Sequence, residues 1–248
     1  MQNARMELLT PSHLALFGVW YLVFLFSSTM HEAAHALAAK LGGDDTAYHG
    51  GQVTLNPLPH IQREPFGMVI VPLMSFFFMG WMMGWASTPY DPLWAQRYPR
   101  RQALMSAAGP VANLSIAVFS FMALSGLLRS GVFVAPDPEG LSFSSLALPS
   151  AQVAAGSMWH PLSAALSVAL SLNLLLFTFN LVPLPPLDGS GVLRGLFPVS
   201  VGRLLDMLSA SPMMSLLGLL LAWQVFPPIF RPFFSMVLEM LHPGVYGG

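Results

Sequence analysis

Five long apolar stretches set the terms for this chain: Leu14–Phe26, Phe66–Trp85, Ala103–Leu128, Leu162–Val182 and Met213–Ile229. Several reach the roughly 20 residues with which a helix crosses the hydrocarbon core of a bilayer. In that core every backbone N–H and C=O must be satisfied without water, and a helix does this within one segment. The charge content agrees: 8% of the residues are Asp, Glu, Lys or Arg, against about 25% in soluble domains. So few charges cannot cover a water-exposed surface for 248 residues. The expected fold class is an all-α, polytopic membrane protein, with the lipid bilayer as its standing partner. A net charge of −1, with basic residues grouped only at Arg97, Arg100 and Arg101, argues for no nucleic-acid partner. There is no cysteine, which excludes disulfides and thiolate metal ligands.

Local punctuation divides the chain. Residues 12 to 41 read as one helix, entered through Thr10-Pro11-Ser12 and closed by Gly42-Gly43. Its apolar run continues into His31, Glu32 and His35, unlike a cleavable signal peptide. In the polar stretch Asp44 to Glu64, the piece Gly51-Gln52-Val53-Thr54-Leu55 has the alternation of a strand, ended by Asn56-Pro57. Residues 66 to 86 are apolar but broken by Gly67, Pro72, Gly80 and Gly84. A loop rich in Pro and Trp leads to a helix from about 101 to 129. Residues 130 to 156, with Asp137 and Glu139 but no Lys or Arg, read as an exposed loop. A helix over 158–182 is halted by Pro183, Pro185 and Pro186. A short helix near 199–208, a last span over 213–226 and an amphipathic tail follow. Residues 1–248 thus read as one membrane domain, with a core over about 12–197 and a C-terminal membrane helix over about 211–230. Trp81, Trp85, Trp94 and Trp159 suit an interfacial aromatic belt. His13, His49, His60, His160 and His242 read as solvated side chains at segment ends.

The chemistry is concentrated in His31-Glu32-Ala33-Ala34-His35. On a helix, positions i and i+4 share a face, so both imidazoles can reach one metal ion, and Glu32 can reach a water beside it. Two histidines and a carboxylate in a membrane helix are costly unless paired or coordinated, which marks them as functional candidates. A catalytic zinc takes three protein ligands and keeps one open position. Six aspartates and five glutamates are available, mostly in loops or termini. Asp188 stands apart because it follows a Pro-broken membrane helix. Its spacing alone suits a third ligand and an Asp-Gly turn equally.

Three ordered elements together resemble the site-2 proteases, peptidase family M50. They are His31-Glu32-x-x-His35, Gly109-Pro110-x-x-Asn113, and Asn180-x-x-Pro183-x-x-Pro186-x-Asp188-Gly189. The stretch Gly51 to Leu58 is similar to the short members that lack a PDZ domain. The resemblance implies a helical bundle that cleaves a transmembrane protein substrate in or beside its membrane helix. It implies Zn2+ on His31, His35 and Asp188, Glu32 as general base, and Asn113 at the substrate or the oxyanion. Asn113 is equally suited to bonding helices together. Gln52 and Gln62 stand where many short members carry Arg and Asp, and Gly191 where Arg is frequent. A catalytically inactive relative is the weaker reading, because Glu32 and the ligand set are complete. A metal transporter would spread its polar ligands along several helices rather than cluster them at one depth.

Two further expectations are geometric. For His31, His35 and Asp188 to share an ion, the first helix and the 158–182 helix must run parallel. That requires 66–86 to be re-entrant instead of crossing. Lys40, Arg63, Arg97, Arg100, Arg101, Arg194 and Arg203 then lie on one side, with Arg5, Arg129 and Arg231 opposite. The positive-inside rule places the site towards the cytoplasm of the cell membrane. The second expectation is that Gly51, Gln52, Val53 and Thr54 offer an open strand edge to which an unwound substrate adds.

Overall fold

The computed structural model describes residues 10–209 and 211–246, so Arg5 lies outside the described residues. Among the described residues, four helices are long and apolar enough to cross a membrane. They are α1 (Pro11–Leu41), α6 (Pro99–Arg129), α7 (Trp159–Asn180) and α10 (Pro212–Leu241). Between them lie short helices: α2 (Thr46–His49), α3 (Pro57–Arg63), α4 (Val71–Met79), α5 (Pro92–Arg97), α8 (Asp188–Leu196) and α9 (Gly202–Ser209). Proline opens α1, α3, α5 and α6, where its missing N–H has no intrahelical partner to lose. Asn56 and Asp91 cap α3 and α5 by accepting from the N–H of Leu58 and Leu93.

Hydrogen bonds between helices fix their directions. From His31 to His35 along α1, the partners on α6 run backwards, from Asn113 to Met105, so α1 and α6 are antiparallel. From Ser27 to His35 along α1, the partners run forwards from Asn173 on α7 to Asp188 beyond it. Helices α1 and α7 are therefore parallel, as a shared ligand set demands.

The segment between them doubles back. It leaves as a π-helical turn, Phe66–Ile70, continues as α4, reverses at Gly80 with φ +77°, and returns extended. These 14 helical residues rise about 21 Å, short of the roughly 30 Å hydrocarbon core. Trp85 N–H donates to Gly67 O at 3.1 Å, and Met83 N–H to Ser75 Oγ at 2.9 Å, so the segment ends beside its start. Only glycine fits where the two limbs touch, since a Cβ on Gly67 would meet Trp85. Phe76 and Met82 of this hairpin pack with Trp20, Phe24, Val168 and Leu172 into a core shared with α1 and α7.

Four sequence expectations need correction. Residues 51–55 form no strand: Gly51 has φ +70°, and Gln52 N–H bonds back to Ala47 O. With α2 ending at His49 and α3 beginning at Pro57, the segment is too short to leave and find a partner. The small sheet lies elsewhere, pairing β1 (Phe133–Val134) antiparallel with β2 (Leu148–Pro149). That sheet belongs to a folded cap over residues 130–156, where Phe133, Leu146 and Ala147 are buried against α6, α7 and α10. The last helix does not stop at 226 or 230 but runs to Leu241 through Pro227, Pro228 and Pro232. Phe226, Phe230 and Phe234 stack along it at i, i+4 spacing, holding the turn that the prolines leave short of donors. Finally, Trp94, His60 and His242 are buried, not interfacial. Their ring N–H groups reach Gly42 O, Thr54 O and Leu146 O respectively.

Candidate metal centre

His31 and His35 sit one turn apart on α1, and both rings have an inner and an outer nitrogen. The inner ones are committed. Nδ1–H of His31 donates to Asn113 Oδ1 at 2.5 Å, and Nδ1–H of His35 donates to Met105 O at 2.7 Å. These bonds fix both tautomers, which leaves Nε2 of each ring as a bare lone pair. The two Nε2 atoms stand 3.0 Å apart, and Asp188 Oδ2 lies 3.1 Å from one and 3.3 Å from the other. Three lone pairs facing one another at such distances repel unless a cation lies among them. A single proton could bridge one edge of this triangle, whereas a metal ion meets all three.

The dimensions suit zinc. Bonds of about 2.0–2.1 Å in a tetrahedron separate ligand atoms by about 3.3 Å, close to the triangle observed. All three donor atoms fall within 4.8 Å of one another, in the one such metal-ligating group among the described residues. Asp188 reaches it because the chain turns tightly after α7, with Leu184 N–H bonding Val182 O and Leu187 N–H bonding Leu184 O. The acid then opens α8, where the helix dipole favours a negative charge.

Glu32 stands outside the ligand triangle. It is buried, and its Oε2 accepts from Thr88 Oγ1 at 2.7 Å, on the returning limb of the hairpin. Both Glu32 and Thr88 line a cavity of about 810 Å³, as do His31, His35 and Asp188. Phe24, Trp81, Leu172, Leu176 and Trp223 make its other walls apolar. The arrangement places a carboxylate with one oxygen tethered next to a three-ligand cation site, inside a pocket sized for a peptide segment.

The remaining candidates fall in different places. Asn113 is fully buried and does not line the cavity. Its Nδ2 donates to Asn173 Oδ1, and Asn173 Nδ2 in turn donates to Ser27 Oγ at 2.9 Å and to Ala169 O. With its amide committed this way, Asn113 orients His31 and links three helices. Gly51, Gln52, Val53 and Thr54 do not line the cavity, and Gln52 is buried with Oε1 unpartnered. Gly109 is explained by contact: a Cβ there would collide with Nε2 of both histidines. Thr88, Met105 and Asn173 escape a sequence reading because they act through long-range bonds, without a local pattern.

The profile of peptidase family M50 matches residues 19–222. A Bacillus subtilis (strain 168) protein named "Putative zinc metalloprotease YwhC" is 34% identical over 189 residues, covering 76% of this chain and 73% of that protein. A Mycolicibacterium smegmatis protein, "Putative zinc metalloprotease Rip2", is 27% identical over 191 residues, covering 73% of this chain and 59% of that one. No solved structure matches.

Proposed function

The chain belongs to peptidase family M50 and is a zinc metalloprotease of the site-2 type, and we propose that it cuts a membrane-protein substrate in or beside a transmembrane segment. The observation that carries this reading is the position of the cation site. Three ligands and an acid stand at one wall of a largely apolar cavity, between helices of membrane-spanning length.

In this reading His31, His35 and Asp188 hold the zinc. Bound there, zinc supplies Lewis acidity for the scissile carbonyl and makes water a better nucleophile at neutral pH. Glu32 accepts the proton of the attacking water and returns it to the leaving amine. Thr88 holds one oxygen of that carboxylate, so the other faces the cavity. Asn113 and Met105 O keep both imidazoles in the tautomer that presents Nε2. A helical substrate must unwind first, because its own hydrogen bonds shield its carbonyls.

The basic residues support one orientation. Lys40, Arg63, Arg97, Arg100, Arg101, Arg194 and Arg203 belong to elements at the end of the bundle that carries the ligands. Arg129 and Arg231 lie towards the cap. By the positive-inside rule the site faces the cytoplasm in the cell membrane.

Glu32→Gln tests the mechanism, because it keeps size and hydrogen bonding while removing the base. Purified protein should retain its zinc and lose about 10²- to 10⁴-fold in turnover of a transmembrane substrate. Near-normal cleavage by this variant, with zinc quantified, would overturn the assignment. His35→Ala and Asp188→Ala should lose metal together with activity.

A further inference from the structure

The cavity that holds Glu32 continues past Asp188 along α8 to Arg194. Ser190, Gly191 and Arg194 lie along one side of α8 and all line it. Gly191 lets this side approach α6, since a Cβ there would strike Ser106. Arg194 is the one Lys or Arg among the described lining residues, and peptide hydrolysis as set out above gives it no task.

Its existing partners hold it loosely. Nε stands 3.0 Å from Asp206 Oδ1 on α9, yet this buried nitrogen lacks the alignment of a hydrogen bond and has no acceptor. Nη2 makes one long bond, 3.3 Å, to Ser209 Oγ. The Asp206 side chain is 65% exposed, so water screens the pair and exchange is easy. Gln102, which also lines the cavity, is buried with Oε1 unpartnered. A guanidinium with spare donors at a polar cavity end is matched to a carboxylate, which it can grip through two parallel bonds.

We propose that Arg194 binds an acidic side chain of the substrate, about three residues from the scissile bond, and that Asp206 holds the place until substrate arrives. The register follows from geometry. Arg194 is six residues beyond Asp188 on one helix, or about 9 Å along its axis. An extended peptide advances about 3.3 Å per residue, so three residues span the interval. The preferred substrate is then an apolar membrane segment with Asp or Glu just outside its cleaved end. This specificity rests on the protease reading, and its test is arranged to separate the two.

Full-length, zinc-loaded Glu32→Gln protein in phosphatidylcholine nanodiscs binds without cutting. The probes are synthetic apolar segments in which a single Glu is walked along the flank, each paired with a Gln counterpart. One Glu position should bind at least tenfold tighter than its Gln pair. Arg194→Gln should erase that difference, and Asp206→Asn should tighten binding of the Glu peptide but not of the Gln peptide. Equal affinity for every Glu and Gln pair overturns the proposal, and so does a Glu preference that survives Arg194→Gln. An Arg194 effect seen only with phosphatidylglycerol assigns the residue to a lipid phosphate and overturns it as well. Wild-type protein assayed for cleavage of the same peptides tests the underlying reading. A Glu preference without cleavage would remove the protease reading and leave the carboxylate site standing.

Discussion

Replacing Gly109 by alanine isolates the metal centre from the rest of the fold. On propensity alone the change favours α6 by about 0.8–1 kcal/mol. The new Cβ, however, would lie 2.7 Å from Cδ2 of His31 and closer still to the Nε2 of both rings. Comfortable carbon contacts are about 3.5–4.0 Å, so the imidazoles must retreat by roughly 1 Å or α1 and α6 must part. Metal sites tolerate about 0.2 Å in ligand distance. Zinc affinity should therefore fall by at least the 10- to 100-fold typical of disturbed supporting groups. The assay is zinc per chain after dialysis against graded chelator, beside a melting curve. Gly126→Ala on the same helix is the control, because nothing lies within 4 Å of its Cβ. If Gly109→Ala keeps its zinc at the chelator concentration that wild type withstands, the close packing of the histidines on α6 is refuted.

Three other outcomes are expected. Thr88→Val removes the tether on Glu32 Oε2 and should lower kcat while zinc content stays whole; an unchanged kcat would show that the bond does not position the base. Asp44 is buried, which alone would raise its pKa, but donors from Thr46 and the Asp91 N–H hold it below the ordinary carboxylate value. A depressed folded pKa means that stability is present above about pH 4, the unfolded value, and is lost as pH falls through the folded one. At pH 7 Asp44→Asn should cost about 1.5–3 kcal/mol, and its melting temperature should converge on wild type's at low pH; parallel curves would refute the assignment. The chain has no native cysteine, so Asp45→Cys and Glu139→Cys should react with an impermeant reagent from opposite faces of the membrane, and labelling from one face would sink the topology.

What could be read from sequence was whatever sits within a few residues. His31 and His35 are a turn apart, and the long helices announce themselves by length, so both were legible. Helices α3 and α5 carried equally local marks, Asn56-Pro57 and Asp91-Pro92, a cap followed by proline. The first also reads as the end of a strand, because five alternating residues resemble sheet. Alternation that brief has no force without a partner strand, and among the described residues none pairs with residues 51–55. In α10 the span expected over 213–226 runs on to Leu241, because the stacked Phe226, Phe230 and Phe234 outweigh the donors that Pro227, Pro228 and Pro232 lack. Asn113 was visible as a polar residue in an apolar helix. Helix bonding was one of its two readings, but its partner Asn173, 60 residues away, left no local sign.

The amide chain from Ser27 through Asn173 to Asn113 contains no metal ligand, yet it ends on one. Between helices in lipid there is little hydrophobic force to set axial position, and directional bonds do that work. Helices α1, α6 and α7 are thus locked in register before any ion arrives, with His31 already turned to present Nε2. Stripped enzyme is expected to keep its near-UV circular dichroism and to be refilled by added zinc, unlike a zinc finger, which is unfolded without its metal.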